Sequence, residues 1–339
     1  MKIKNQLGKI KIKKLMSVVL TASIIVTSFS SVIQASAQNE DASSQVAALE
    51  EASVQTAVRP AEPTEEFVIS SKYDLSKFMV KYDYWESNYK VTLACDIDMG
   101  GAVLNQIKEY SGIFDGQGHT ISNFSVQDKS DQSKNIELAF IKTVNSSAQF
   151  KNVTFDNYSV ECKSDIKKVA GFVVTNHGTI SGVDIVNSRI NNIDKKANAA
   201  GYVLNNEEDG IIENCFVNMS NKDAVIKFGF VGTNLGKITG CSTTLSVSSK
   251  DIAGGFCGRN SGEISNCKSE GNVTAKTNSK KTATICGGFV AENNGTIKES
   301  SSIGKVEGQE FAGGFVGINR DKSEIISCKS IGDVESKTW

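Results

Sequence analysis

Few side chains in this sequence are of a type and spacing that could do chemistry. Zinc peptidases need two histidines one helical turn apart with a glutamate between them. His119 and His177 are the only histidines and stand 58 residues apart, so that chemistry is excluded here and both read as turn residues. Paired carboxylates can act as general acid and base on a glycosidic bond. The nearest cluster is Asp96, Asp98 and Asp115, but Asp115-Gly116 is a turn signal, and Asp96 and Asp98 flank Ile97 as outward residues of an edge strand. Eight cysteines in an exported chain would suggest disulfides. No Cys-x-x-Cys or Cys/His cluster is present to bind a metal, and nothing in the sequence calls for a cofactor.

The elements that must position these residues are repeats. Aligned on the aromatic of a Gly-aromatic pair, Phe172, Tyr202, Phe230, Phe256, Phe289 and Phe315 are separated by 30, 28, 26, 33 and 26 residues, with weaker copies at Phe114 and Phe140. Four residues after each strong copy comes an asparagine: Asn176, Asn206, Asn234, Asn260, Asn293 and Asn319. A second column follows, Ile121, Phe150, Ile180, Ile212, Ile238, Ile264, Ile297 and Ile325. Three residues further on lies a third, Phe124, Val153, Val183, Cys215, Cys241, Cys267, Ser300 and Cys328.

This period suits one coil of an all-β solenoid, a right-handed parallel β-helix of about eight coils. Coils stacked about 4.8 Å apart would make a rod of roughly 40 Å. Stacked asparagines can pass amide hydrogen bonds from coil to coil, and stacked Ile and Phe fill the interior. Glycines such as Gly178, Gly236, Gly262 and Gly295 fit a turn that needs positive φ. In-register cysteines hold their side chains parallel, a poor geometry for a disulfide, so Cys215, Cys241, Cys267 and Cys328 read as buried free thiols acting as small apolar residues. Cys95, Cys162, Cys257 and Cys286 lie outside that column.

Gly229-Phe230-Val231-Gly232, Gly255-Phe256-Cys257-Gly258 and Gly314-Phe315-Val316-Gly317 resemble the GLUG motif, with Phe where that motif usually has Leu. Gly112–Ile121 and the segment Ile69–Met99 are similar to what precedes such repeats. The resemblance implies a pectin-lyase-like fold and a secreted or surface bacterial protein, one instance being the non-catalytic N-terminal region of immunoglobulin-A-specific metalloendopeptidases. It implies no activity, since fold does not carry chemistry with it.

Four segments follow from the chain order. Six lysines precede an apolar run from Leu15 to Ile33, and Ala35-Ser36-Ala37 offers a small-x-small cleavage site, so residues 1–37 read as a signal peptide resembling those of Gram-positive bacteria. Removing it takes the formal charge from −1 to −7, with six of those charges in the stretch 38–66, an acidic, proline-bearing disordered linker. Residues 67–111 form an N-terminal cap. There Ser71-Lys72-Tyr73-Asp74 is a capping box, and Leu75, Phe78, Met79 and Tyr82 mark an amphipathic helix of about three turns, followed by a strand at Val91–Cys95. The remainder, 112–339, is the repeat region. It stops at Trp339 straight after a coil, which reads as truncation of a longer protein.

The near-neutral body offers no field for nucleic acid. Inserts between coils carry Lys163, Lys167, Lys168, Arg189, Lys195, Lys196, Lys276, Lys280 and Lys281, all ahead of the aromatic strand; these form either a basic ridge for surface glycans or proteins, or ordinary solubilising lysines. Three functions remain. The leading one is an exported, non-enzymatic stalk or adhesion module at the cell surface. The alternatives are the non-catalytic front of a secreted metallopeptidase and a polysaccharide lyase or hydrolase.

Overall fold

The computed structural model describes residues 63–127, 136–162, 166–191, 193, 196–220, 225–277 and 283–336. All belong to the unit Ala61–Trp339. The expected signal peptide and most of the linker stretch lie outside the described residues, as do Lys163, Lys195, Lys280 and Lys281.

The chain is a parallel β-solenoid. Each coil is laid down as short strands separated by tight turns, and each strand pairs in parallel with its counterpart one coil away. The coil containing Phe256 shows the unit: Ile252–Gly254, Cys257–Asn260, Glu263–Ser265, Lys268–Ser269 and Val273–Ala275. Three faces result. The first is a sixteen-stranded sheet carrying the isoleucine column, the second an eight-stranded sheet ending in the asparagine column. The third, which leads into the Gly-aromatic pair, is broken into two three-stranded sheets. A further four-stranded sheet is formed by Val247–Ser249 and its equivalents in the last three coils.

The core runs along the solenoid axis. Ring centroids of Phe230, Phe256, Phe289 and Phe315 follow one another at 4.8 Å with nearly parallel planes, the spacing of neighbouring strands. Tyr202 and Phe172 continue the stack toward the N-terminus. Isoleucines 180, 212, 238, 264 and 297 line the interior from the first face and are fully buried.

The register of the first coil differs from the sequence expectation. Phe114 pairs with Phe150 and so belongs to the isoleucine column, with stacked rings 4.2 Å apart. Ile121 pairs with Phe155, and Phe124 with Tyr158. The cause is an irregularity between Asp115 and His119, where Gln117 (φ 54°) and Gly118 (φ 81°) bend the strand Ile113–Gln127 and shift every later residue. No signal for this bulge distinguishes it in the sequence from an ordinary turn.

The glycine expectation is also corrected. Gly178, Gly236, Gly262 and Gly295 are not at positive φ. They are needed for room: a Cβ on Gly236 would lie 2.2 Å from the carbonyl oxygen of Gly210 in the adjacent coil. Positive φ falls instead one residue before the cysteine column, at Asn152, Gly182, Asn214, Gly240, Asn266, Glu299 and Ser327. Asparagine tolerates this left-handed conformation better than other non-glycine residues, and the asparagines there are the signal that the sequence reading missed.

Helix α1, Lys72–Phe78, stands over the N-terminal end. Ser71 Oγ accepts the Asp74 N–H, and the Asp74 carboxylate reaches back to the Ser70 N–H, so the helix start is satisfied. The helix is seven residues long, shorter than the three turns expected. It stops because Lys81 turns extended and the Trp85 indole N–H, from a following 3-10 turn at Tyr82–Trp85, donates to the Phe78 carbonyl at 2.9 Å. Phe78 is fully buried, 5.6 Å from Phe114 and 6.1 Å from Tyr110, so α1 closes the interior with an aromatic plug.

Candidate functional site

The second face ends in a buried amide ladder. Asn176 Nδ2 donates to Asn206 Oδ1 at 2.8 Å, and the same 2.8 Å bond repeats from Asn206 to Asn234, to Asn260, to Asn293 and to Asn319. Each second amide hydrogen goes to a local turn carbonyl, for example Gly236 O for Asn234 at 3.3 Å. Asn176, Asn206, Asn234, Asn260 and Asn293 have no exposed surface. This arrangement consumes the amides of Asn176 to Asn293 in internal bonds, while Asn319, the last rung, is exposed.

The cysteine column forms a second ladder. All eight cysteines are free thiols. Cys215 N–H donates to Cys241 Sγ at 3.5 Å and Cys241 N–H to Cys267 Sγ at 3.4 Å, while each thiol donates to the carbonyl two residues before it. Ser300 holds the same post, accepting Cys267 N–H at 3.1 Å and donating to Lys298 O at 2.7 Å. The thiols are therefore hydrogen-bonding groups as well as apolar filler. Burial pushes the Cys162 thiol up to about 12 and the Cys286 thiol up to about 11, and holds Cys241 and Cys257 well above the ordinary thiol range, which keeps these four from acting as thiolate nucleophiles at neutral pH. Cys241→Ser should stay within about 1 kcal/mol of the parent, whereas Cys241→Val should lose about 1–3 kcal/mol by orphaning the Cys215 amide. Equilibrium urea unfolding checks this, and equal stability of the two variants would return the column to a purely apolar role.

The candidate carboxylates are each engaged separately. Asp96 accepts the Thr120 N–H at 2.9 Å and faces His119 Nδ1 at 3.1 Å, contacts that hold its carboxyl below the ordinary range. Asp98 is lowered likewise by Asn123 Nδ2 and the Gly100 N–H. Asp115 lies buried where the first-face strand bends: its Oδ1 accepts the Gln117 N–H two residues on, an Asx-turn contact that opens the bend, and Asn152 Nδ2, both at 3.1 Å. His119 likewise sits in register beside Val153 within the first face, while His177 follows the asparagine ladder and meets Asp209 at 2.9 Å. Among the described residues no group of three or more His, Cys, Asp or Glu side chains could hold a metal ion.

The structure distributes the described basic residues over different faces. Lys167 and Lys168 lie in the third-face strand Ile166–Ala170, Arg189 near the end of the first-face strand Thr179–Asn191, Lys196 just ahead of the third-face strand Asn198–Ala200, and Lys276 just past the four-stranded sheet. Lys168 pairs with Glu137 at 2.7 Å, and Lys276 pairs with Glu307. Glu307, held by Lys276 and Lys305, is lowered to about 2. A more concentrated charge site was missed by sequence reasoning. At the corner between the second and third faces, Lys168, Lys227, Asp251 and Arg259 surround Phe228, Leu204 and Asn198. Its signal was available: Phe228 is the one large residue in a column that otherwise reads Ala170, Ala200, Gly254, Gly287 and Gly313.

The stacked unit can be matched to a known repeat. Residues 252–274 match the GLUG motif. This GLUG segment contains Phe256 of the aromatic stack, Asn260 of the amide ladder, Ile264 of the core and Cys267 of the thiol ladder, so the motif is the construction unit of one coil. A crystal structure described as "a putative immunoglobulin A1 protease from Bacteroides ovatus" is 16% identical with a TM-score of 0.42, over 81% of this chain and 84% of that one. No curated protein matches the chain. Among the described residues, no helix is long and apolar enough to cross a membrane.

Proposed function

We propose that this chain is an exported, non-enzymatic β-helix that serves as a surface stalk or adhesion module. The observation that carries the reading is the fate of its reactive side chains. Among the described residues, the carboxylates of Asp96 and Asp115, both imidazoles, the buried ladder amides and the thiol column are bonded to neighbouring coils or to their own turns, a use that builds the solenoid. The basic-then-apolar start with Ala35-Ser36-Ala37 supports export, and a GLUG repeat supports a building role. Presentation of binding groups on a regular scaffold is what such solenoids do physically, because their stacked coils give a long surface with fixed spacing.

The test uses the full chain in two assays. Fluorescently tagged protein should be retained saturably on bacterial or host cell surfaces, and incubation with uronate-containing polysaccharides should leave their chain length unchanged. Release of oligosaccharides that ceases in Asp96→Asn or Asp115→Asn would replace this reading with a glycan-cleaving one.

A further inference from the structure

The corner where the second and third faces meet is apolar and buried, and Phe228 packs against it. Ala139, Ala170, Val174, Ala200 and Leu204 form a second apolar cluster there, apart from the axial core. In the coil of Phe228 the third face is interrupted. Phe228 joins its neighbours by single bridges to Ala200 and Gly254 instead of a strand, and this is where the third face divides. Space is kept for the ring: a Cβ on Gly258 would lie 2.5 Å from Phe228 Cε1, and one on Gly232 3.3 Å from Cδ2.

Beside the ring is a cavity of about 170 Å³, several times the ~30 Å³ share of a water molecule in the liquid. Lys227 enters it with its side chain only 8% exposed. Its ammonium lies 3.4 Å from Asn198 Oδ1 and 3.4 and 3.5 Å from the two carboxylate oxygens of Asp251, longer than the about 2.7–2.9 Å of a well-made charge-assisted bond. Burial works to raise the Asp251 carboxyl, but the Ser249 hydroxyl, the Ile252 N–H and Lys227 together bring it below the ordinary range. The Lys227 contacts are all longer than a well-made charge-assisted bond, so a closer acceptor would gain on them. Arg259 stands on the rim, bonded through Nε to Glu292 at 2.9 Å.

We propose that this corner binds the carboxylate-bearing sugar of an acidic glycan, a proposal that rests on the binding-module reading above. The carboxylate meets Lys227 Nζ and the outer edge of Arg259, the sugar's apolar face lies on Phe228, and Asn198, Asn205 and Thr233 serve its hydroxyls. A peptide terminus fits less well, because capture of a terminal carboxylate uses free backbone N–H groups. Here the Lys227 and Phe228 N–H groups donate to Ala199 O, and Gly229 N–H donates to Gly254 O.

Titration calorimetry on the full chain with sodium glucuronate and N-acetylneuraminate tests the proposal, with glucose as the neutral control and acetyl-Ala-Ala as the peptide carboxylate. Expected are saturable binding of at least one acidic sugar, at least tenfold weaker binding of glucose, and a tenfold or larger loss in Lys227→Met. Arg259→Gln, on the rim, should lose several-fold while its thermal melt stays that of the parent, which keeps the test valid if Lys227→Met folds poorly. Glucose binding as well as the acids, no acidic sugar binding, unaltered affinity in a folded Lys227→Met, or preference for acetyl-Ala-Ala would each overturn it. Surface retention that persists in Lys227→Met alongside any of these would leave the adhesion reading standing while this site falls.

Discussion

Asn234→Leu should destabilise the solenoid by about 2–6 kcal/mol, the cost of leaving two buried polar groups without partners at about 1–3 kcal/mol each. Asn234 accepts from Asn206 and donates to Asn260, both at 2.8 Å, and is fully buried. Leucine is close in size but neither accepts nor donates, so Asn260 Oδ1 and the Asn206 amide lose partners from both sides of one coil. Because a coil touches only its neighbours, hydrogen exchange should rise first in the coils of Asn206, Asn234 and Asn260. Asn234→Asp separates hydrogen bonding from shape. Its carboxyl can accept from Asn206 in either state but can donate to Asn260 only when protonated, so folding should raise its pKa. A raised folded pKa means stability is present at low pH and lost as pH rises through that value, hence Asn234→Asp should melt higher at pH 4 than at pH 7 relative to the parent. Thermal melts of both variants within the error of the parent at pH 7 would remove the ladder from the list of stabilising features.

The columns that were legible in the sequence are those in which one residue type recurs for one physical reason. Asn176 to Asn319 and Ile180 to Ile325 repeat because stacking demands an identical group above and below, and that demand is visible as letters at a fixed period. The first coil was misaligned because its register depends on backbone angles at Gln117 and Gly118, and composition does not encode a bulge. The length of α1 was overestimated because the periodicity of Leu75, Phe78, Met79 and Tyr82 continues past the point where Trp85 folds back onto the Phe78 carbonyl. Lys227 and Phe228 were passed over for another reason: alignment rewards what repeats, while a binding site on a repeat scaffold is a departure from it. The thiol ladder was half legible, since burial follows from the column but the N–H to Sγ bonds need the bend before each cysteine.

Two glycines give the sharpest contrast between steric and conformational need. Gly262→Ala should cost about 3 kcal/mol or more, at or above the usual range for overpacking. Its added Cβ would lie 2.1 Å from Gly236 O and 2.6 Å from the Leu235 carbonyl, backbone atoms that cannot withdraw without altering the spacing of the coils. Gly295 meets Gly262 O at 2.2 Å in the same way, so the glycine column is a line of backbones in mutual contact. Gly240 has the opposite character. It sits at φ 67°, a Cβ there would meet the side-chain Oδ1 of Asn214 at 2.5 Å, and the residues above and below it in the same bend are Asn214 (φ 53°) and Asn266 (φ 54°). Gly240→Asn should therefore fall between a loss of about 0.5 kcal/mol and a gain of about 1 kcal/mol, the gain coming from a less flexible unfolded chain. Asparagine is the decisive replacement at both positions because it tolerates left-handed backbone. If Gly262 were there for its φ, Gly262→Asn would recover most of the stability lost in Gly262→Ala; if it is there for room, Asn will be at least as damaging as Ala. Chemical unfolding of the three variants reads the difference, and recovery in Gly262→Asn would show that the close approach of coils yields more easily than the carbonyl distances imply.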